Sequence, residues 1–206
     1  AEPFEGKSLQ CVAQIAHDHQ LHLLVGYAEK ADNTVYNSAA LIDAEGNRVA
    51  NYRKIHLFGS EERRLFTPGK HWVIQTIAGF KVGILICFDV EFPEAVRALA
   101  LQGAELIAAP TANGDARISK LVVPARALEN QLFIAYANRA GMEGDLEYCG
   151  LSTIADPEGR VLVQADDQEG LWMVQLDRHA ISQARSQYFY LHERRAELYG
   201  STRLTL

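Results

Sequence analysis

Cys87 closes a short apolar run, Val82 to Ile86, and is followed by Phe88-Asp89-Val90-Glu91-Phe92-Pro93-Glu94. A run of that length reads as a buried strand. Pro93 and Glu94 suit the first turn of a helix that continues through Leu101. A cysteine at such a strand-to-helix elbow stands at the mouth of a sheet. A helix N-terminus beside it would lower its pKa and favour the thiolate, the nucleophilic form. A plain buried cysteine fits the same position, so this segment alone leaves both readings open.

A second segment bears on the choice. Asn51-Tyr52-Arg53-Lys54-Ile55-His56-Leu57-Phe58-Gly59 ends a predicted strand with two cations and a histidine, and Phe66-Thr67-Pro68-Gly69 marks a turn. Lys54 could stabilise the oxyanion formed when Cys87 attacks a carbonyl or nitrile carbon. Alone, Arg53-Lys54 also reads as a solvated strand end. Together the two segments resemble the nitrilase superfamily of carbon–nitrogen hydrolases. Further matches are Tyr36-Asn37-Ser38-Ala39, Asn130 in Arg126-Ala127-Leu128-Glu129-Asn130, Asn138-Arg139, and Gly150-Leu151-Ser152 before Asp156-Pro157-Glu158-Gly159. The resemblance covers nearly all of the chain.

The resemblance implies a Glu-Lys-Cys triad, in which Cys87 is the nucleophile and Lys54 the cation. The Phe88 N–H, just past the elbow, is the natural second oxyanion donor. Of the acidic pair Glu61 and Glu62, the resemblance favours Glu62 as a carboxylate lining the pocket near the lysine; a surface pair is the alternative. Asp89 and Glu91 would orient the elbow rather than react, and Glu91 also stands with the substrate-binding candidates. Thr111-Ala112-Asn113, at a strand end, would form one pocket wall. The triad Glu lies in the family's first strand–helix–strand unit. Residues 1–10 resemble the linker after that unit, and the chain begins without Met. The N-terminal β-α-β unit is therefore expected to lie outside these 206 residues. Glu2 and Glu5 fall in the linker, and Glu29 matches a different family position.

The expected reaction is hydrolysis of a small carboxamide to acid and ammonia through a cysteine thioester, with no metal or organic cofactor. A nitrilase or N-carbamoyl amide hydrolase is the alternative within the same chemistry. A non-catalytic fragment or pseudoenzyme serving as a binding module is the alternative outside it. A Cys-His protease would need His56 beside Cys87. Strand alternation instead places His56 on the face of Lys54, two residues away, as a structural histidine. Cys11 and Cys149 are expected in the core, and Arg126 and Glu129 as a structural ion pair.

Composition bounds the partners. The formal net charge of −6, with no basic block, argues against nucleic acid. No segment is long and apolar enough to span a membrane. Three cysteines lack metal-ligand spacing and cannot all pair, which points to a reducing, cytoplasmic setting.

Strands alternating with helices, interrupted by hairpins, give an α/β layered fold. The family resemblance sharpens it to a four-layer α-β-β-α sandwich, a single domain over 1–206 with the site at the strand ends. Helices are expected at 7–19, 93–102 and 117–130. Strands are expected at 21–28, 36–43, 47–53, 72–77, 80–86, 105–109, 132–137, on both sides of Asp156-Pro157-Glu158-Gly159, and at 171–176. The aromatic tail within 181–206 is expected to pack at the interface of a homodimer or higher homo-oligomer.

Overall fold

Two sheets face each other in the computed structural model, which describes residues 1–199. α1 (Lys7–His19) covers the outer face of the first sheet. That sheet is an antiparallel meander of β1 (Leu23–Ala31), β2 (Thr34–Ile42) and β3 (Arg48–Arg53). Its central strand is buried from Ser38 to Ile42. A short helix, α2 (Gly59–Leu65), follows.

The second sheet is mixed and six-stranded. β4 (Ile74–Ile77) and β5 (Phe80–Ile84) form a hairpin. Ala78 and Gly79, both at positive φ, give the turn the twist such hairpins need. A 3₁₀ turn, Cys87–Glu91, leads into α3 (Pro93–Leu101), which buries Ala95, Val96, Leu99 and Ala100. β6 (Leu106–Thr111) returns parallel to β5. A π-helical turn, Ile118–Val122, runs into α4 (Val123–Asn130), and β7 (Phe133–Asn138) adds parallel to β6. After the hairpin of β8 (Ala140–Glu143) and β9 (Leu146–Cys149), β10 (Thr153–Ala155) and β11 (Val161–Gln164) complete the order β11-β10-β7-β6-β5-β4. β1 packs on β6 between the sheets, α4 packs on β7 and β10 outside, and Leu99 of α3 lies over Gly83 of β5. The layers are thus α-β-β-α, the nitrilase-like sandwich that the motifs imply.

Several expectations need correction. Residues 171–176 form no strand; burial alternates along them, but no neighbouring strand supplies a ladder, and Leu171 and Met173 are exposed. The helix expected over 117–130 is a π turn joined to a short α-helix. α2 and the β8–β9 hairpin carried no recognised signal. Cys11 is exposed, not core, because α1 buries Leu9 and Ala16 on its other side. The tail begins by folding back on its own domain as α5 (His179–Gln187), with Ile181 and Ala184 buried. Gln131 Nε2 donates to the carbonyls of Ala184 and Tyr188. A last short helix is α6 (Ala196–Tyr199), and residues 200–206 of the expected interface tail lie outside the described part.

Candidate active site

The two motif segments meet at the same ends of the two sheets. β3 stops at Arg53, and the Lys54 N–H donates to Asn37 O (2.8 Å) while Lys54 O accepts from the Gly69 N–H (2.8 Å). The Pro68-Gly69 turn thus clamps the strand end. A Cβ at Gly69 would stand 2.0 Å from Arg53 O, so only glycine permits this approach. Arg53 is no solvated strand end: its guanidinium forks onto buried Glu29 (2.9 and 2.6 Å) and lies over the Tyr36 ring.

Lys54 is 1% exposed, a costly place for an ammonium unless it is paired. Its Nζ donates to both oxygens of Glu62 (2.9 and 2.7 Å). Asn37 Nδ2 (3.0 Å) and the Phe58 N–H (2.7 Å) donate to the same carboxylate. Glu62 is thereby fixed by α2, β2 and the strand-end loop together. Asn37, one of the motif matches, is the residue that braces it.

Cys87 follows Leu85 and Ile86 at the end of β5 and adopts φ +47°, a strained conformation for a residue with a side chain. Its Sγ points toward Ala112 O at 3.8 Å. Burial pushes the thiol pKa up; Lys54 and the Ala112 contact pull it down, and Glu62 and Glu91 add to the rise. This corrects the expectation of a thiol acidified by a helix. The elbow opens into a single 3₁₀ turn, and α3 begins only at Pro93. Burial thus favours the protonated thiol, and forming the thiolate calls for a base.

An open cavity of about 730 Å³ joins Lys54, Glu62, Cys87 and Thr111, with Tyr136 and Trp172 among its other walls. Of the remaining candidates Thr111 lines it, while Phe88, Glu91 and Asn113 do not. The Phe88 N–H is bonded to no acceptor among the described residues, and the Phe88 ring packs edge-on against Phe58 and Phe92. Thr111 Oγ1 donates to Ala109 O (3.1 Å). Asn113 is taken up in the wall behind the cavity: its N–H donates to Asn138 Oδ1 (2.8 Å) and its Nδ2 to Tyr136 Oη (3.2 Å). Asn138 Nδ2 also donates to Asn113 O and Gly150 O. Glu91 is half-buried outside the cavity lining, its pKa raised by burial and by Asp115 against the pull of Lys54 and Arg126. Arg126 pairs with Glu129 (3.1 Å) and also donates to the carbonyls of Val90 and Glu91.

His56 does not share the environment of Lys54, because alternation ends with β3. Its ring stacks on Phe92 (3.9 Å between centroids), and its Nδ1 lies 2.8 Å from Asp89 Oδ1. Cys149 is half-buried, with Sγ 3.2 Å from Asn113 O.

This arrangement coincides with similarity to known proteins. The family model described as "Carbon-nitrogen hydrolase" matches residues 1–186. A Pseudomonas protegens protein described as "Hydrolase in pqqF 5'region" is 44% identical, the match covering 97% of this chain and 71% of that one. An (R)-stereoselective amidase of a Pseudomonas species is 40% identical, with coverages of 97% and 73%. Among solved structures, this chain resembles a variant of the amidase from Nesterenkonia sp. AN1 that shows covalent addition of the acetamide moiety of fluoroacetamide at its active-site cysteine. The TM-score is 0.84 and the identity 34%, covering 93% of this chain and 71% of that one. The chain belongs to the carbon–nitrogen hydrolase family. It is a hydrolytic enzyme of the amidase-like kind, built on the nitrilase fold.

Proposed function

We propose that this protein hydrolyses a small carboxamide to a carboxylic acid and ammonia. Cys87 Sγ attacks the amide carbon, and the oxyanion is held between Lys54 Nζ and the Phe88 N–H. The C–N bond breaks as the nitrogen takes up the proton that came from the thiol. Ammonia leaves a thioester on Cys87, and water then hydrolyses it to the acid and the free thiol. The observation that carries this reading is the Lys54 ammonium, buried and doubly bonded to Glu62, at a cavity it shares with the strained Cys87.

The protonated thiol calls for a base. We assign that role to a glutamate in a segment beyond the 206 residues, as the motif resemblance implies. Glu62, already bonded to Lys54, Asn37 and Phe58, is the alternative within the chain. Comparing ammonia release by residues 1–206 with that of an N-terminally extended chain decides between them: equal rates place the base in this chain. A screen of small amides, nitriles and N-carbamoyl compounds tests the substrate class. Release of CO₂ with ammonia, or turnover of nitriles alone, would replace the carboxamide.

The same proposal includes a reducing compartment, supported by three unpaired cysteines, and a symmetric dimer. Tyr188, Phe189 and Tyr190 support the dimer, since they remain 44–55% exposed after α5 has docked on its own domain. Light scattering before and after removal of 188–206 checks it; a full-length monomer at micromolar concentration, or a dimer that survives the deletion, counts against it.

A further inference from the structure

The Asp89 carboxylate is completely buried, two residues beyond the nucleophile, and has no exit to the cavity. A buried carboxylate is held only where donors surround it. Four do so here. Oδ2 accepts from Tyr52 Oη (2.9 Å) and the Ile86 N–H (3.1 Å). Oδ1 accepts from the His56 N–H (2.9 Å) and lies 2.8 Å from His56 Nδ1. An ionised carboxylate only accepts, so against one the short His56 contact is made by a donating Nδ1–H.

The partners come from two places. Tyr52 and His56 flank Lys54 at two residues on either side, while Ile86 immediately precedes Cys87. Lys54 lies beyond the end of β3 and Cys87 beyond the end of β5, strands of different sheets. No ladder joins those strands, so backbone pairing does not set the distance between ammonium and thiol. We infer that Asp89 is a positioning residue: its carboxylate locks the Lys54 strand end to the Cys87 elbow and fixes the alignment of ammonium and sulfur. The stacking of His56 on Phe92 extends the lock to the start of α3. Asp89 touches neither substrate nor sulfur and takes no proton in the reaction.

This inference rests on the Cys87–Lys54 reading above and can be separated from it. The readout is the pH dependence of Cys87 alkylation by iodoacetamide, followed by peptide mass spectrometry so that Cys11 and Cys149 are counted apart. The charged groups acting on the thiol are Lys54, which favours the thiolate, and Glu62 and Glu91, which oppose it. In Asp89→Asn the amide presents a donor to donors, the lock opens, and Lys54 acts less on the sulfur. The alkylation midpoint should rise by about half to one pH unit, making alkylation below it roughly three- to tenfold slower. Tyr52→Phe removes one of the four bonds and should move the midpoint the same way by less; it decides the matter if Asp89→Asn does not fold. Asp156→Asn is the control, since buried Asp156 only holds the turn at Glu158 and Arg160. It should lower Tm and leave the midpoint alone. An unmoved midpoint in both Asp89→Asn and Tyr52→Phe, or the same shift in Asp156→Asn, overturns the inference. If Lys54→Ala also leaves the midpoint unmoved, the Cys87–Lys54 pairing itself is wrong, and the role of Asp89 falls with it.

Discussion

The cavity has two unlike walls. On one side Lys54, Glu62 and Asn37 are bonded to one another, and Cys87 sits in a strained elbow tied to the same strand end. On the other, residues 168–172 have no ladder. Their side-chain bonds are local, as with Gln168 Nε2 to Asp167 Oδ1, and Leu171 is 85% exposed. The difference separates two tasks. The groups that would hold developing charge are preorganised and cost no rearrangement when the reaction begins. The wall that would meet the rest of the substrate is held by little, so it can differ between relatives without disturbing the first. Rate should therefore respond to one wall and selectivity to the other.

Breaking the rigid wall should give the largest effects. Cys87→Ala should abolish ammonia release, in the 206-residue or the extended chain, while circular dichroism stays unchanged; full activity would sink the nucleophile. Lys54→Ala should lower kcat by at least ~10²-fold, the scale for losing an oxyanion donor. Lys54→Arg should not rescue it, because a planar fork cannot take the place of a compact ammonium against Glu62. A near-wild-type rate for Lys54→Ala would refute the role.

How much of this contrast is legible in the sequence follows the same division. The rigid wall is written in short, dense segments. Tyr-Arg-Lys-Ile-His and the Cys-Phe-Asp elbow each put several special residues into a few positions, and α1, the hairpins and the β5–α3–β6 unit follow from their own periodicity and turns. Contacts between distant segments are not written that way. Nothing local in Asn37 announces that it braces Glu62, twenty-five residues on. Strand alternation misplaced His56 because β3 ends at Arg53, which depends on the clamp by Gly69. Residues 171–176 have a strand's pattern without a strand's partner. The burial of the thiol is hidden for a related reason: helix placement can be read from Pro93, whereas crowding around Sγ, which pushes its pKa up, is a property of the packed whole.

The loose wall should yield a smaller and different effect. Trp172 is its one large aromatic side chain on the cavity. Trp172→Ala should raise KM by about tenfold for amides with an apolar acyl group and leave kcat within a few-fold, the pattern of lost uniform binding. Steady-state kinetics across an acyl series checks this. A fall in kcat with KM unchanged would mean that this wall also shapes the transition state, and the division of tasks would fail.

The smallest expected effect sharpens the border between the walls. Glu91 is half-buried beside Asp115, and both burial and that neighbour raise its pKa. The fold therefore prefers the protonated form. An acid whose folded pKa is raised weakens the fold at pH above that value; the penalty fades as pH falls from there toward the ordinary carboxyl pKa of 4.5 and is gone below it. Glu91→Gln removes the charge at constant shape. It should raise Tm slightly at neutral pH, with the gain vanishing below that range, and it should leave kcat and KM unchanged if Glu91 only borders the elbow. Thermal melts across pH, run beside kinetics at neutral pH, separate the possibilities. A large rise in KM with the Tm gain intact would move Glu91 onto the substrate. Loss of stability at neutral pH would mean instead that the carboxylate is held by its cationic neighbours Lys54 and Arg126 more strongly than burial opposes it.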